Sequence, residues 1–340
     1  MIHSLSSHSV WGSSDIMSAI TAIRKTLFRS NLHAHVNINK KSLGKRIIEH
    51  WQLYVFLAPA VILIFIFNYM PMYGIQMAFR DFRPISGIWG SEWVGLAHFQ
   101  RLINLPAFFM IIRNTFILSI MSISLGFIFP ITLALMLNQI RSTFFKRVIQ
   151  TVTYMPHFIS VVVVVGMLMV FFSPRTGLYG LAVTALGGTP TNIIGRTDLF
   201  RWFFVLTERW QHTGFAAIIY IAAMSGIDPE LYEAASIDGA SQWRKMIHID
   251  IPSIIPVMII LLILSAGNVL NVGFERAFLM QNPTNIEVSQ VIATYVFEVG
   301  IRLGQFSFSA AVSLLNTVIN FVILVAVNAI SRRVSATSLW

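Results

Sequence analysis

Apolar runs and polar stretches alternate along this chain with a long period. Six apolar runs stand out, at about 52–72, 115–137, 152–173, 202–224, 253–272 and 307–330. A membrane-spanning helix needs about 20 mainly apolar residues, so each run predicts one spanning helix. The third contains FISVVVVVGMLMVFF, whose β-branched residues also suit a buried strand. Strands rarely exceed about ten residues, and length decides for a helix. The second run carries Pro130 near its middle, which predicts a bend where one backbone hydrogen bond is lost. The expected fold is all-α and integral to a membrane, with about six transmembrane helices.

The polar stretches set the organisation. Residues 1–51 form a basic leader, 52–330 the membrane domain and 331–340 a short tail. KKSLGKR at 40–46 is expected to meet anionic lipid headgroups. Trp51 and Tyr54 then fall where an interfacial aromatic belt belongs. HAH at 33–35 offers metal-ligating residue types, although a surface tail is the simpler expectation. The Gly, Pro and aromatic residues of 71–103 predict ordered packing at one membrane face, and 174–201 predicts an irregular loop. Residues 138–150 make a short basic connection.

Composition agrees with the pattern. Hydrophobic residues make up 56% of the chain and charged residues 11%, against about 25% charged in a soluble domain. Mean hydropathy is +0.71. The absence of cysteine excludes disulfides, thiol catalysis and cysteine metal sites. No apolar core with a small-residue cleavage site occurs in the first 30 residues, so the first span is expected to act as an uncleaved insertion signal. The formal charge is +10, and its distribution argues against nucleic acid as a partner, because the basic residues flank spans rather than cover a polar surface. Cytoplasmic segments carry the excess of Lys and Arg. With residue 1 inside, 14 of the 24 lie inside, including Lys25, Lys40, Lys41, Lys45, Lys146 and Lys245. Both termini and the 225–252 loop are therefore expected to be cytoplasmic.

That loop contains LYEAASIDGASQWRKMIHIDIP at 231–252. Asp228 and Pro229 suit an N-cap and a first helical position, and Glu230 and Glu233 complement the dipole of the first turns. A helix to about Asp238 is predicted, then a bend at Gly239, then a short helix ending before Pro252. In the second helix Trp243, Met246 and Ile247 share one apolar face. The loop is longer than the usual 2–8 residues between bundle helices, and its apolar face suits a groove in a partner.

Glu233-Ala234-Ala235, then Gly239 four residues after the second alanine, then Ile251-Pro252, resembles the EAA loop of the membrane subunits of bacterial ATP-binding cassette importers. Ile251 stands where that family often has leucine. LAPAVILIFIFNYMPMYGIQMAFRDF (57–82) and GFERAFLMQNPTNIEVSQVIATYVFEVGI (273–301) look like the oligosaccharide branch of carbohydrate permeases, and the likeness covers roughly 50–335. The resemblance implies a type I importer permease in the bacterial inner membrane, not an enzyme. It implies a second permease, two cytoplasmic ATPase subunits and an extracytoplasmic solute-binding protein as partners. Glu233, Ala234, Ala235 and Gly239 would shape a coupling helix docked on an ATPase, with Trp243 and Met246 as contacts. No G-x-x-x-x-G-K-[ST] occurs, so no cofactor is expected in this chain, and ATP and Mg would belong to the ATPases. The implied cargo is an oligosaccharide, acidic as in alginate importers or neutral.

Polar residues within spans usually face inward. Asn268, Asn271 and Glu275 are spaced to share a face of the fifth span, Glu208, Gln211 and His212 a face of the fourth, and Asn316 and Asn320 a face of the sixth. These faces are candidates for a translocation path, with interhelical hydrogen bonding as the alternative role. Glu208-Arg209 and Glu275-Arg276 are expected near the outer interface as wetted pairs, leaving no acid in mid-span. The outside segments then carry ten basic and seven acidic residues, a balance of +3 that would favour an anionic sugar. A secondary transporter acting alone would need ionisable mid-span residues, and an intramembrane enzyme would need a nucleophile–base pair or an H-E-x-x-H motif, which is absent.

Overall fold

The computed structural model describes residues 49–334. The HAH and KKSLGKR segments and most of the tail lie outside the described residues. The chain divides into two compact units, Met1–Met70 and Pro71–Trp340. The described part of the first is helix α1, Trp51–Ile64, followed by a widened turn at Phe65–Tyr69. Its sequence is apolar on every side, as suits a helix bathed in lipid.

A 3₁₀ stretch, Met70–Phe79, begins at the boundary, and the second unit then holds a short antiparallel hairpin, β1 Arg80–Arg83 and β2 Ser91–Trp93, pairing Arg80 with Trp93. The Arg80 guanidinium lies over the rings of Trp89 and Trp93. Phe82 N–H donates to Ser307 Oγ at 2.7 Å, anchoring the hairpin. The segment 71–103 is thus ordered, as its aromatic content predicts. Helices then follow: α2 Ala97–Ile103, α3 Phe108–Gln139, α4 Thr143–Tyr154, α5 Val161–Phe171, α6 Leu178–Ala185, α7 Thr197–Met224, α8 Pro229–Ile237, α9 Ile251–Ala266, α10 Phe274–Met280, α11 Ile292–Phe297 and α12 Phe306–Val334. Helix α6 gives the 174–201 loop more regular structure than its composition suggests. Among the described residues four helical segments are long and apolar enough to cross a membrane, and six if each of two bent pairs forms one span.

Helix α7 packs along α3 at the centre. Phe200, Phe203 and Phe204 of α7 meet Leu118, Val165, Ala277 and Met280 in one apolar cluster. Towards the other end of α7, Ala217, Tyr220 and Met224 meet Ala134, Leu135 and Ile254. A third cluster joins Leu102, Ile111, Phe308 and Val312. Helix α4 approaches α7 so closely that a Cβ on Gly214 would overlap the Thr153 carbonyl.

Two spans depart from the predicted continuity. The third is broken: α4 and α5 meet at 100°. Pro156 lacks a donor, Ile159 is extended, and Ser160 Oγ caps α5 by accepting from Val163 N–H at 3.3 Å. The 11 residues of α5 are too few to cross a bilayer alone. The fifth span ends early, at Ala266, and an irregular stretch separates it from α10. Conversely, the helix starting at Gln242 does not stop before Pro252. It runs on into α9 through a widened turn at Met246–Asp250, where Ile251 N–H reaches back to Met246 O. A proline ring crowds the carbonyl four residues earlier, here that of His248, and a wide turn relieves the crowding.

Candidate functional site

The helix breaks decide where the polar residues go. An open cavity of about 240 Å³ lies between the middle of α3, the middle of α7 and the break after α9. Glu208, Arg209, Ser122, Ser119, Asn268 and Asn271 are on its wall. Arg209 Nη2 pairs with Glu208 Oε1 at 2.6 Å, and Ser122 Oγ donates to Glu208 Oε2 at 2.7 Å. A Cβ on Gly126 would overlap the Arg209 guanidinium, so the glycine makes its berth. Ser119 Oγ and Arg209 Nε are buried without a partner, and polar groups in that condition suit a hydroxylated ligand or water. Asn268 Oδ1 accepts from Asn271 Nδ2 at 3.3 Å, and Asn316 Nδ2 donates to Asn271 Oδ1 at 3.1 Å.

The predicted polar faces therefore split. Glu208, Asn268 and Asn271 reach one cavity. Glu208 and Arg209 sit in the middle of α7 and are only 21% and 17% exposed, not wetted at an interface, so a mid-helix acid does exist. Asn268, Asn271 and Glu275 do not share a helical face, because the helix ends at Ala266, leaving both asparagines in the irregular stretch while Glu275 lies exposed on α10. Arg276 forms no wetted pair with it. It is buried and donates to Thr207 Oγ1 at 3.2 Å and to Gln211 Oε1.

Gln211 and Asn320 do not line the cavity; both are buried and mend broken helices. Gln211 Nε2 donates to the Ile159 carbonyl at 2.8 Å, at the α4–α5 break. Asn320 Oδ1 accepts from Leu270 N–H at 3.0 Å, at the α9–α10 break. Lipid supplies no water to freed backbone groups, so a neighbouring side chain must. His212 Nδ1 meets His157 Nδ1 at 2.9 Å, and His157 stacks on Phe215.

The 225–252 loop is built as its residues dictate. Asp228 caps α8, accepting from Glu230 N–H at 3.0 Å. Gly239 has φ +71°. Ala240 N–H reaches Ala235 O at 2.9 Å and Gly239 N–H reaches Ser236 O at 3.1 Å, the pair of bonds that closes a helix on a left-handed residue. Glu233, Ala234, Gly239 and Trp243 are exposed, and Trp243 is 70% so. Met246 is less open than Trp243. It is half-buried against the Ala134–Ile254 cluster, leaving Trp243 and Ile247 as the free apolar side chains of that face.

Residues 138–139 and 250, which the periodicity does not single out, meet beneath this loop. Asp250 is fully buried. Its Oδ1 accepts from Tyr232 Oη and from Asn138 Nδ2 at 3.4 Å, and its Oδ2 from Gln139 Nε2 at 3.0 Å. Burial, and after it the bond to Asp250, pushes the Tyr232 phenol up to about 12. The available signal was an acid held between isoleucines at the head of an apolar run. Among the described residues no group of three His, Asp or Glu is placed to hold a metal ion.

Residues 126–336 match the family model described as "Binding-protein-dependent transport system inner membrane component". The chain belongs to that family. This permease is 40% identical to the polygalacturonan/rhamnogalacturonan transport system permease protein YteP of Bacillus subtilis (strain 168), over 86% of this chain and 92% of the relative. It is 39% identical to Protein LplB of the same organism, over 86% and 92%. Its fold superposes on a solved bacterial alginate ABC transporter, in complex with alginate pentasaccharide-bound periplasmic protein, with a TM-score of 0.81 and 36% identity, covering 88% of this chain and all of that one. The protein is a permease subunit of a carbohydrate importer of the ATP-binding cassette class, integral to the inner membrane.

Proposed function

We propose that this permease pairs with a second, paralogous permease to form the path of an oligosaccharide, and that two cytoplasmic ATPase subunits drive it through the 225–252 loop. A solute-binding protein would deliver the sugar at the opposite face. The loop supports this reading most directly. It is an exposed helix–turn–helix whose inner end is fixed to two spans by Asp250. In this reading Glu233, Ala234, Ala235 and Gly239 form the docking surface, Trp243 makes the apolar contact, and ATP and Mg stay with the ATPases. The loop and both termini are cytoplasmic.

The cavity walled by Glu208, Arg209, Ser119, Ser122, Asn268 and Asn271 is the proposed stretch of the path. Its position at a helix break suits a transport site, where freed backbone and polar side chains meet a solvated cargo. The proposed cargo is an oligosaccharide of an acidic polysaccharide such as alginate. Relatives named for polygalacturonan and alginate support acidity, because both are uronate polymers. So does a cationic spot at the start of α7, where Arg201 donates to Asn114 Oδ1 at 3.1 Å and lies near Arg113. A relative at 25% identity named for arabinooligosaccharides keeps a neutral cargo as the second reading.

Purification with the neighbouring subunits tests the core of this. The ATPase should co-elute with the wild-type chain and be lost on Gly239→Asp or Glu233→Lys. Uptake that persists without any ATPase would refute it. Competition by uronate against neutral oligosaccharides decides the cargo.

A further inference from the structure

Asp250 is an unusual residue to bury at the head of a spanning helix. It sits in the wide turn at Met246–Asp250, fully shielded from solvent, and the hydrogen bonds its carboxylate accepts all come from other elements. Tyr232 belongs to α8, the first helix of the docking loop; Asn138 and Gln139 are at the last turn of α3. One side chain thus ties the loop to the ends of two spans. Across the left-handed Gly239, Lys245 Nζ donates to Ser236 Oγ at 2.6 Å, an exposed bond between the loop's own two helices; the Asp250 carboxylate is the buried tie that reaches α3. No basic residue is bonded to the carboxylate. Its partners are a phenol and two amides, which hold direction better than a mobile lysine would.

We propose that the Asp250 carboxylate, gripped by Tyr232 and by Asn138 and Gln139, is the rigid joint that converts displacement of the docking loop into movement of α3 and α9. Asp250 and Tyr232 are positioning residues: they touch neither nucleotide nor sugar. The inference rests on the coupling reading given above. It adds that the exposed Lys245–Ser236 bond does not transmit force by itself, and that without the joint α8 moves independently of α3. Helix α3 also carries Ser119, Ser122 and Gly126 to the cavity, and α9 ends beside Asn268. The joint therefore leads along two helices to the proposed sugar path.

The chain contains no cysteine, which makes paired labels clean. Spin labels at Ile237→Cys on α8 and Arg141→Cys just beyond α3 report the joint itself in the purified chain, whatever its partners. A narrow distance distribution is expected for the otherwise unchanged chain and a clearly broadened one for Tyr232→Phe, which removes a single hydroxyl, and for Asp250→Asn. In the assembled transporter both variants should keep the ATPase bound and hydrolysing at its basal rate, while sugar moved per ATP falls at least tenfold. Unbroadened distances, or unchanged sugar per ATP in a coupled wild-type complex, overturn the joint and leave the coupling reading standing. A wild-type chain that binds no ATPase overturns the coupling reading instead, and the joint's role in transport with it.

Discussion

Glu208 and Arg209 are neighbours in sequence and partners in space, bound at 2.6 Å in the middle of α7. Removing one member of a shielded pair strands the other's charge, whereas removing both does not. Arg209→Gln should therefore lower the melting temperature of the detergent-solubilised chain more than the double change Glu208→Gln/Arg209→Gln. Equal losses would mean the pair is effectively solvated. Tyr232 makes a pH prediction. Its folded pKa is raised, so the neutral phenol is the form that folding favours. That contribution is whole below the ordinary tyrosine range near pH 10 and lost as pH rises through about 12. The phenolate absorbance of the wild type minus that of Tyr232→Phe should thus show no ionisation of this residue below about pH 11. At this scale the sequence announced types rather than roles. Gln211 and Asn320 were visible as polar residues in spans, but their partners, the Ile159 carbonyl and the Leu270 amide, exist only because helices break nearby.

Elements here are held by short local signals. Ser160 caps α5 after the break, and a lost cap typically costs about 1 kcal/mol. Ser160→Ala should destabilise by that amount, with Ser160→Asp restoring it, in thermal unfolding followed by circular dichroism. Gly214 is different, because the obstacle is backbone. Gly214→Val places a branched side chain where the Thr153 carbonyl lies, and overpacking of this kind costs about 1–3 kcal/mol or forces α4 away from α7. A melting temperature equal to the wild type's would show that the two helices approach less closely than described. The capping of α8 by Asp228 and its closure at Gly239 were legible in advance, since both depend on residues within a few positions. The passage of the helix through Pro252 was not. A proline ordinarily marks an end, and only the wide turn ahead of it lets the helix continue.

For the whole molecule, the spans, the breaks and the loop form a connected arrangement. The cavity lies at one break, the histidine pair and Gln211 at the other, and the 225–252 loop at the far end of α3, α7 and α9. By itself the sequence determined that the chain is helical and lives in a membrane, because the length and apolarity of its runs leave no other way to satisfy the backbone in lipid. It also determined the cap at Asp228 and the turn at Gly239 in the 225–252 loop, which are local chemistry, though not the run of the second helix through Pro252. The tertiary structure alone decided which polar residues meet. Two spans are interrupted, and an interrupted helix changes the direction of every side chain beyond the break. Spacing along an assumed continuous helix therefore grouped Asn268 with Glu275, while packing placed Asn268 with Glu208 and gave Asp250 its three partners from elsewhere in the chain.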